Sequence, residues 1–413
     1  MSLALSDFKT VVQTLHELLD VIDREVAETI DSRDPNNVSA TLAPRASAEL
    51  LDAYKAFTKY SDKLASFAAD PSDVGVTLIG GFHETNAIQV ASELGVADVL
   101  GDEELPLSEI AHRVGANEYR LRQVMRLLVN RSVFRETHYG SDVFANNRLS
   151  SVFLSAHEKN LRGIVGHWAD DAYKAGVYVV EGVKLASEKK CPFELEHGTT
   201  IWDWFKTPES ALARDRTNKA MVGAEGFLHG ALIYDYDWER HGQEATIVDV
   251  GGGVGGAAIE LCRRFPKIKI VLQDRPSVIE AAPKFWEENA PECKSRVTFM
   301  PHDFFGPQIR EKIFFMRFII HDWVDEDCLR ILEPIRDVIP SETEGGRLYI
   351  ADSVLDEKSE RLKYMLDLQM LTFTGAMERT EVEFDNLLKR AGFRILKIHK
   401  NRGFCALIEA VAA

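Results

Sequence analysis

Apolar positions along the 413-residue chain change their spacing from segment to segment, and each spacing predicts a different kind of element. Phe8, Val11, Val12, Leu15, Leu18, Leu19 and Ile22 recur every three or four positions, the rhythm of an amphipathic helix that packs one face. Residues 1–70 read as helices separated by a polar break at 31–47. Between 77 and 155 the pattern tightens. A helix is predicted over 84–100, with Ala87, Val90, Ala91 and Leu94 inside, and a shorter one over 106–115 with Ser108 as its N-cap. A third over 117–134 turns Leu121, Val124, Met125, Leu127 and Leu128 inward, and strand-like pieces around a glycine turn follow to 153. Helix, turn, helix and ribbon predict a winged helix.

Residues 156–240 are helical in pattern and rich in aromatic side chains, a composition that suits a core or a pocket for a flat, apolar molecule. From 241 onward strands and helices alternate. Strands are predicted at 246–250, 268–273, 296–300, 312–320, 346–352, 394–399 and 403–411. Helices fit at 255–264, 276–288, 326–338, 361–373 and 380–391. Such alternation predicts a mostly parallel sheet covered on both faces. Only Asn-Arg-Gly separates the last two strands, too short for a parallel crossover, so an antiparallel hairpin is expected there. The chain thus divides at 1–155, 156–240 and 241–413.

A net charge of −16 argues against a dedicated nucleic-acid surface. The third helix of the winged helix does carry Arg120, Arg122, Arg126 and Arg131. They suit either a DNA reader or a packing and dimerisation module, and an acidic chain favours the second. The N-terminus lacks a basic region and a sustained apolar run, and the apolar run at 313–320 is too short to span a bilayer and contains Arg317. A soluble, cytoplasmic protein is expected. The five cysteines are scattered without a C-x-x-C pair, as expected of reduced thiols, and no zinc site is expected.

Candidate chemistry begins in "TIVDVGGGVGGAAIELCRRFP", residues 246–266, where Gly251, Gly253 and Gly256 satisfy G-x-G-x-x-G. That spacing suits a dinucleotide pyrophosphate, or any ligand the backbone must approach closely. Asp274 ends the next strand, where an acid can accept ribose hydroxyls, or can cap the following helix. Asp303 and Phe304 follow the third strand, and His321 with Asp322 ends the fourth. Asp352 ends the fifth strand and Glu378 precedes the next helix; either carboxylate suits a hydrogen bond to the His321 imidazole that would fix its tautomer. The acids Asp325, Glu326 and Asp327 suit a metal less well than the positive end of the helix they open.

With these residues in hand, the C-terminal half resembles the S-adenosylmethionine-dependent class I O-methyltransferases of the plant caffeate type and their fungal natural-product relatives. "VDVGGGVGG", "LQDRPSVI", "HDFF", "IIHDWVDEDCLRIL", "LYIADSVLDE" and "GAMERTEVEFDNLLKRAGF" each resemble a block of that family, in family order. The N-terminal half resembles the family's winged-helix dimerisation domain. The resemblance implies an α/β fold: a Rossmann-like sheet with a C-terminal antiparallel hairpin, joined to a helical dimerisation domain. It also implies S-adenosylmethionine as cofactor, no metal, a hydroxylated aromatic substrate and a homodimer. Carried over by position, His321 becomes the general base flanked by Asp352 and Glu378. Asp249, Gly251, Gly252 and Gly253 line the methionine end of the cofactor, Asp274 holds the ribose, and Asp303 and Phe304 contact the adenosine. Arg317 stands near the adenine where many relatives have Lys, and Asp352 replaces the Glu common in plant members. Some relatives use the same fold for dehydration or pericyclic steps without methyl transfer, which stays the alternative. A nicotinamide dehydrogenase and a winged-helix regulator are weaker rivals.

Overall fold

The computed structural model describes residues 5–29, 47–157, 160–184, 190–228, 230–242, 245–357, 359–400 and 403–413. Nearly all of the polar break predicted at 31–47, and Asn401 and Arg402 of the hairpin turn, lie outside them. Two compact units make up the chain: Met1–Lys174 with Trp202–Gly226, and Ala175–Ile201 with Phe227–Ala413.

In the first unit, helices Leu5–Thr29 and Ala48–Ala68 pack together, and Phe8 meets Phe67 edge-on at 6.2 Å. The helix Pro71–Gly80, capped by the Asp70 carboxylate, buries no residue and leaves Val76, Leu78 and Ile79 exposed. The winged helix follows. Gly95, left-handed at φ 68°, breaks the helix predicted over 84–100 into Phe82–Glu93 and Val96–Leu100. The helices Leu107–Val114 and Glu118–Asn130 then pack Ile110, Leu121, Met125 and Leu128 around Phe134 and Phe144. Ser108 does not cap its helix. Strand Leu105–Pro106 pairs with Val143–Ala145, which holds Pro106 extended, and the helix starts directly behind that proline. Strand Arg135–Glu136 completes the ribbon. Arg122 pairs with Glu118 and Asp142, and Arg131 with Glu84, as a packing module requires.

The second unit is built on seven strands: β1 (Thr246–Val250), β2 (Lys269–Asp274), β3 (Val297–Pro301), β4 (Ile313–Arg317), β5 (Arg347–Asp352), β6 (Phe393–Lys400) and β7 (Ala406–Ala412). Their order across the sheet is β6-β7-β5-β4-β1-β2-β3. The first five run parallel; β7 inserts antiparallel between β5 and β6 and pairs Ala406 with Asp352. Strand alternation sends Ile247, Phe315 and Tyr349 to one face, against Leu261 and Trp286, and Val248, Phe314 and Ile350 to the other, against Ile331 and Phe384. The helix predicted over 276–288 is interrupted between Pro276–Ile279 and Ala282–Asn289, because Pro283 has no N–H to continue the first segment.

The chain passes from β1 outward through β2 to β3, then returns to β4 on the other side of β1. Carboxyl ends on either side of that reversal form the crevice where open α/β sheets bind ligands. A short parallel pair, Val354–Leu355 with Arg379–Thr380, extends the rim beyond β5 and brings the segment carrying Glu378 beside it. Among the described residues no helix is long and apolar enough to cross a membrane.

Candidate active site

The glycine loop is zipped to the end of β2. The N–H groups of Gly251 and Gly252 both donate to the Gln273 carbonyl, at 2.9 and 3.0 Å. Gly251 has φ 72°, and a Cβ there would lie 2.4 Å from the Ile319 Cδ1. A Cβ on Gly252 would lie 2.4 Å from the Asp249 Oδ2, so the buried carboxylate at the end of β1 occupies the side-chain space of that glycine. Gly253 faces open space, with nothing within 4 Å of the Cβ position.

Asp274 terminates β2 and turns one oxygen to the loop: Oδ2 accepts from the Gly253 N–H at 2.9 Å, while Oδ1 accepts from the N–H of the next residue, Arg275, at 2.7 Å. Burial raises its pKa against the lowering effect of these two donors. Arg275, not Asp274, is the N-cap residue of the helix that follows. At the end of β3, the Asp303 Oδ1 accepts from the Phe305 N–H at 3.0 Å. Phe304 meets Phe305 and Trp323 edge-on at 5.1 and 5.8 Å, and its Cε1 lies 3.7 Å from the Cβ position of Gly251. The loop, Asp274 and Phe304 therefore share one corner. A ribose brings two hydroxyl donors to an acceptor-only carboxylate, and open space at Gly253 beside Asp274 suits the S-adenosylmethionine implied by sequence. Arg317 ends β4. Its positive charge favours the thiolate of Cys405, against the burial that raises the pKa of that thiol.

The chain leaves β4 through a constrained corner. Phe318 has φ 52°, a left-handed conformation uncommon for a bulky residue, and its ring stacks on the His321 imidazole at 5.1 Å and 26°. One 3-10 turn, Ile320–Asp322, then presents His321, which is 6 % exposed. Its Nδ1 lies 2.8 Å from the Glu378 Oε1, and Glu378 is fully buried. Its Nε2 faces the Asp322 Oδ1 at 3.7 Å, too long for a hydrogen bond. Asp352 does not touch the imidazole: its Oδ2 accepts from the main-chain N–H of His321 at 3.2 Å. The short aspartate side chain ends at the backbone, so Glu378 alone of the two expected carboxylates hydrogen-bonds the ring.

Burial opposes a charged imidazole, but Glu378, Asp322 and Asp352 around it together outweigh that penalty and push the His321 pKa up to about 10. Burial pushes Asp322 and Asp352 up to about 6, against the lowering effect of His321. The Asp352 Oδ1, Glu378 Oε2 and Ser353 Oγ are buried without a partner. Asp325 and Asp327 face elsewhere, toward Arg379 and Arg390 and toward Arg330, in the first turn of the helix Asp325–Arg336. Among the described residues, no cluster of three or more His, Cys, Asp or Glu side chains is arranged to hold a metal ion.

Three participants escaped the sequence reading. Phe318 and Trp323 carry no spacing signal: the first is one of three phenylalanines in the run 313–320, and the second stands alone between Asp322 and Val324. Arg379 did carry one, as the cation directly after Glu378.

Comparison with known proteins matches residues 178–394 to the O-methyltransferase domain and residues 76–156 to the O-methyltransferase dimerisation domain. The O-methyltransferase tpcA of Aspergillus fumigatus is 27% identical, over 99% of this chain and 97% of its own length. The crystal structure of LaPhzM superimposes with a TM-score of 0.75 at 28% identity, covering 84% of this chain and 100% of the other. That of CalO1, a methyltransferase in calicheamicin biosynthesis in its S-adenosylhomocysteine-bound form, does so with a TM-score of 0.70 at 26% identity, covering 84% of this chain and all (100%) of the other.

Proposed function

The chain belongs to the O-methyltransferase family, and on that premise we propose that His321 is the general base for methylation of a phenolic or enolic hydroxyl on a small aromatic or polyketide-like natural product. The protein is an S-adenosylmethionine-dependent enzyme. When bound, the cofactor supplies an electrophilic methyl on a sulfonium, and cleavage of that C–S bond leaves the neutral thioether S-adenosylhomocysteine. Asp249 and the Gly251–Gly253 backbone are the groups proposed to hold its methionine end, Asp274 its ribose, and Asp303 with Phe304 its adenosine.

The observation that carries the reading is the buried contact of 2.8 Å between the His321 Nδ1 and the Glu378 Oε1. With a proton held at Nδ1, the neutral ring offers its Nε2 lone pair to an acceptor hydroxyl. A phenol has a pKa of about 10 and attacks poorly until that proton leaves. The Nε2 would take that proton and leave the oxygen nucleophilic. Glu378 and Asp322 stabilise the imidazolium that results, and raised proton affinity brings the base close to a phenol in strength. Asp352 keeps the main chain of the turn in place, and the Phe318 ring covers one imidazole face and offers an apolar wall to a flat acceptor.

Incubation with a panel of phenols, read by mass spectrometry for a gain of one methyl and for S-adenosylhomocysteine, tests the activity. His321→Ala then tests the base: its methylation rate is expected to fall about 10²–10⁴-fold. Full activity in that variant would overturn the mechanism. The homodimer expected of the family domain at 76–156 is supported by the exposed apolar side chains of Val76, Leu78 and Ile79. Sedimentation of Ile79→Asp as a monomer would bear this out.

A further inference from the structure

The residue after Glu378 grips the other side of the same turn. Arg379 is 2 % exposed, and its guanidinium spreads over three oxygen-bearing groups, with a longer contact to the Cys328 Sγ at 3.7 Å. Nη1 donates to the Ile320 carbonyl at 2.9 Å and Nη2 to the Trp323 carbonyl at 2.9 Å. Nη2 and Nε also donate to the Asp325 Oδ1, at 2.8 and 3.2 Å. The two carbonyls bracket His321 and Asp322 in the chain. The Cys328 thiol adds weaker contacts to both, at 3.4 and 3.3 Å. Arg379 is itself fixed by its place opposite Val354 in the short parallel pair, just beyond Asp352.

We infer that Arg379 is a positioning residue whose planar fork clamps the turn 320–323 against Glu378 and so fixes which nitrogen of His321 meets the carboxylate. Glu378 and Arg379 are adjacent, so a single segment holds the ring by its Nδ1 and its main chain by the flanking carbonyls. A plain ion pair with Asp325 accounts for less. That carboxylate is 41% exposed and also held by Arg390 at 3.0 Å, whereas the bond to the Ile320 carbonyl is buried. A lysine ammonium is a point donor on a flexible stem and does not reproduce a fork that spans two carbonyls and a carboxylate. The groups facing the imidazole are Glu378 from the extended segment, Asp322 from its own turn, Asp352 from β5 and the Phe318 ring. Losing the clamp therefore alters one contact above all, the Nδ1 bond.

This inference deepens the general-base reading and takes its catalytic meaning from it, but its test needs no acceptor. Histidine-ring ¹⁵N spectra of the full chain with S-adenosylhomocysteine report tautomer and titration. The His321 signals are identified by their loss in His321→Gln. In the unaltered protein the neutral ring is expected as the Nδ1–H tautomer alone. In Arg379→Lys and Arg379→Met a tautomer mixture is expected, with the titration midpoint lower by about one pH unit or more and S-adenosylhomocysteine affinity retained. An unchanged tautomer and midpoint in folded Arg379→Lys would overturn the inference. Asp325→Asn, at the half-exposed end of the clamp, is expected to move both readouts the same way by less, and unchanged spectra there count equally against it. Full methylation by His321→Ala would overturn the base reading alone and leave these spectra to judge Arg379.

Discussion

The Asp352 carboxylate and His321 meet through the main chain, Oδ2 to N–H at 3.2 Å, while the other carboxylate oxygen is buried without a partner. An Asn at this position keeps an acceptor for the N–H and removes a charge that burial disfavours. Because burial raises the Asp352 pKa to about 6, its ionised form costs stability above that pH, and the cost fades as pH falls and the group protonates. Asp352→Asn is expected to melt about 2 °C or more above the parent at pH 8 and to keep only part of that advantage at pH 5, since the cost vanishes only below the ordinary carboxylate value of 3.8. Thermal scans at the two values decide it; a lower melting point at pH 8 contradicts the account.

Glu378→Gln separates charge from shape. The amide still reaches Nδ1 but can present its NH₂, which moves the ring proton to Nε2 and blocks the nitrogen needed for proton removal. Methylation rate is expected to fall by about 10²–10⁴-fold with little change in cofactor affinity. Single-turnover kinetics beside calorimetry with S-adenosylhomocysteine make the comparison.

The raised His321 pKa sets two pH dependences of opposite sign. The imidazolium stabilises the folded protein; this contribution is complete below the ordinary value of 6.5 and is lost as pH rises through about 10. As the proposed general base, His321 would work only when deprotonated, so kcat/KM for a phenol is expected to rise across the same interval. A rising limb centred below pH 6.5 would contradict the carboxylate arrangement around the ring.

In the glycine loop, Gly252→Ala introduces a Cβ 2.4 Å from the Asp249 Oδ2 and 2.5 Å from the Leu272 Cδ1. Overpacking of this kind costs about 1–3 kcal/mol, and if the loop distorts to relieve it, cofactor affinity drops roughly tenfold. Titration with S-adenosylhomocysteine reads the loss directly; an unchanged Kd would mean the loop is not the cofactor cradle.

Much of the C-terminal fold was legible because strand and helix periodicities there are long and cleanly separated. The hairpin of β6 and β7 followed from the shortness of its connection alone. The break at Pro283 and the start of Leu107–Val114 behind Pro106 were not read, although both reduce to the missing N–H and fixed φ of proline. At the site, His321, Asp274 and the glycines were legible as residue types at strand ends, and Glu378 as an acid ahead of the next helix. Which carboxylate reaches the ring was not, because it turns on the length of one side chain across a gap that only folding defines. Phe318 is a sharper case: nothing in "MRFIIHDW" signals that one aromatic residue is left-handed.

The placement of β7 bears on how the enzyme comes into being. β5, which delivers Asp352, is synthesised well before the strand that pairs along its edge. Until that partner arrives, a nascent chain displays one open edge of an apolar strand, paired only with β4, beside an unfinished centre. Hydrogen-exchange labelling of stalled ribosome complexes should find the β5 N–H groups that face β7 unprotected throughout this interval, and the same interval is when the chain most needs a chaperone.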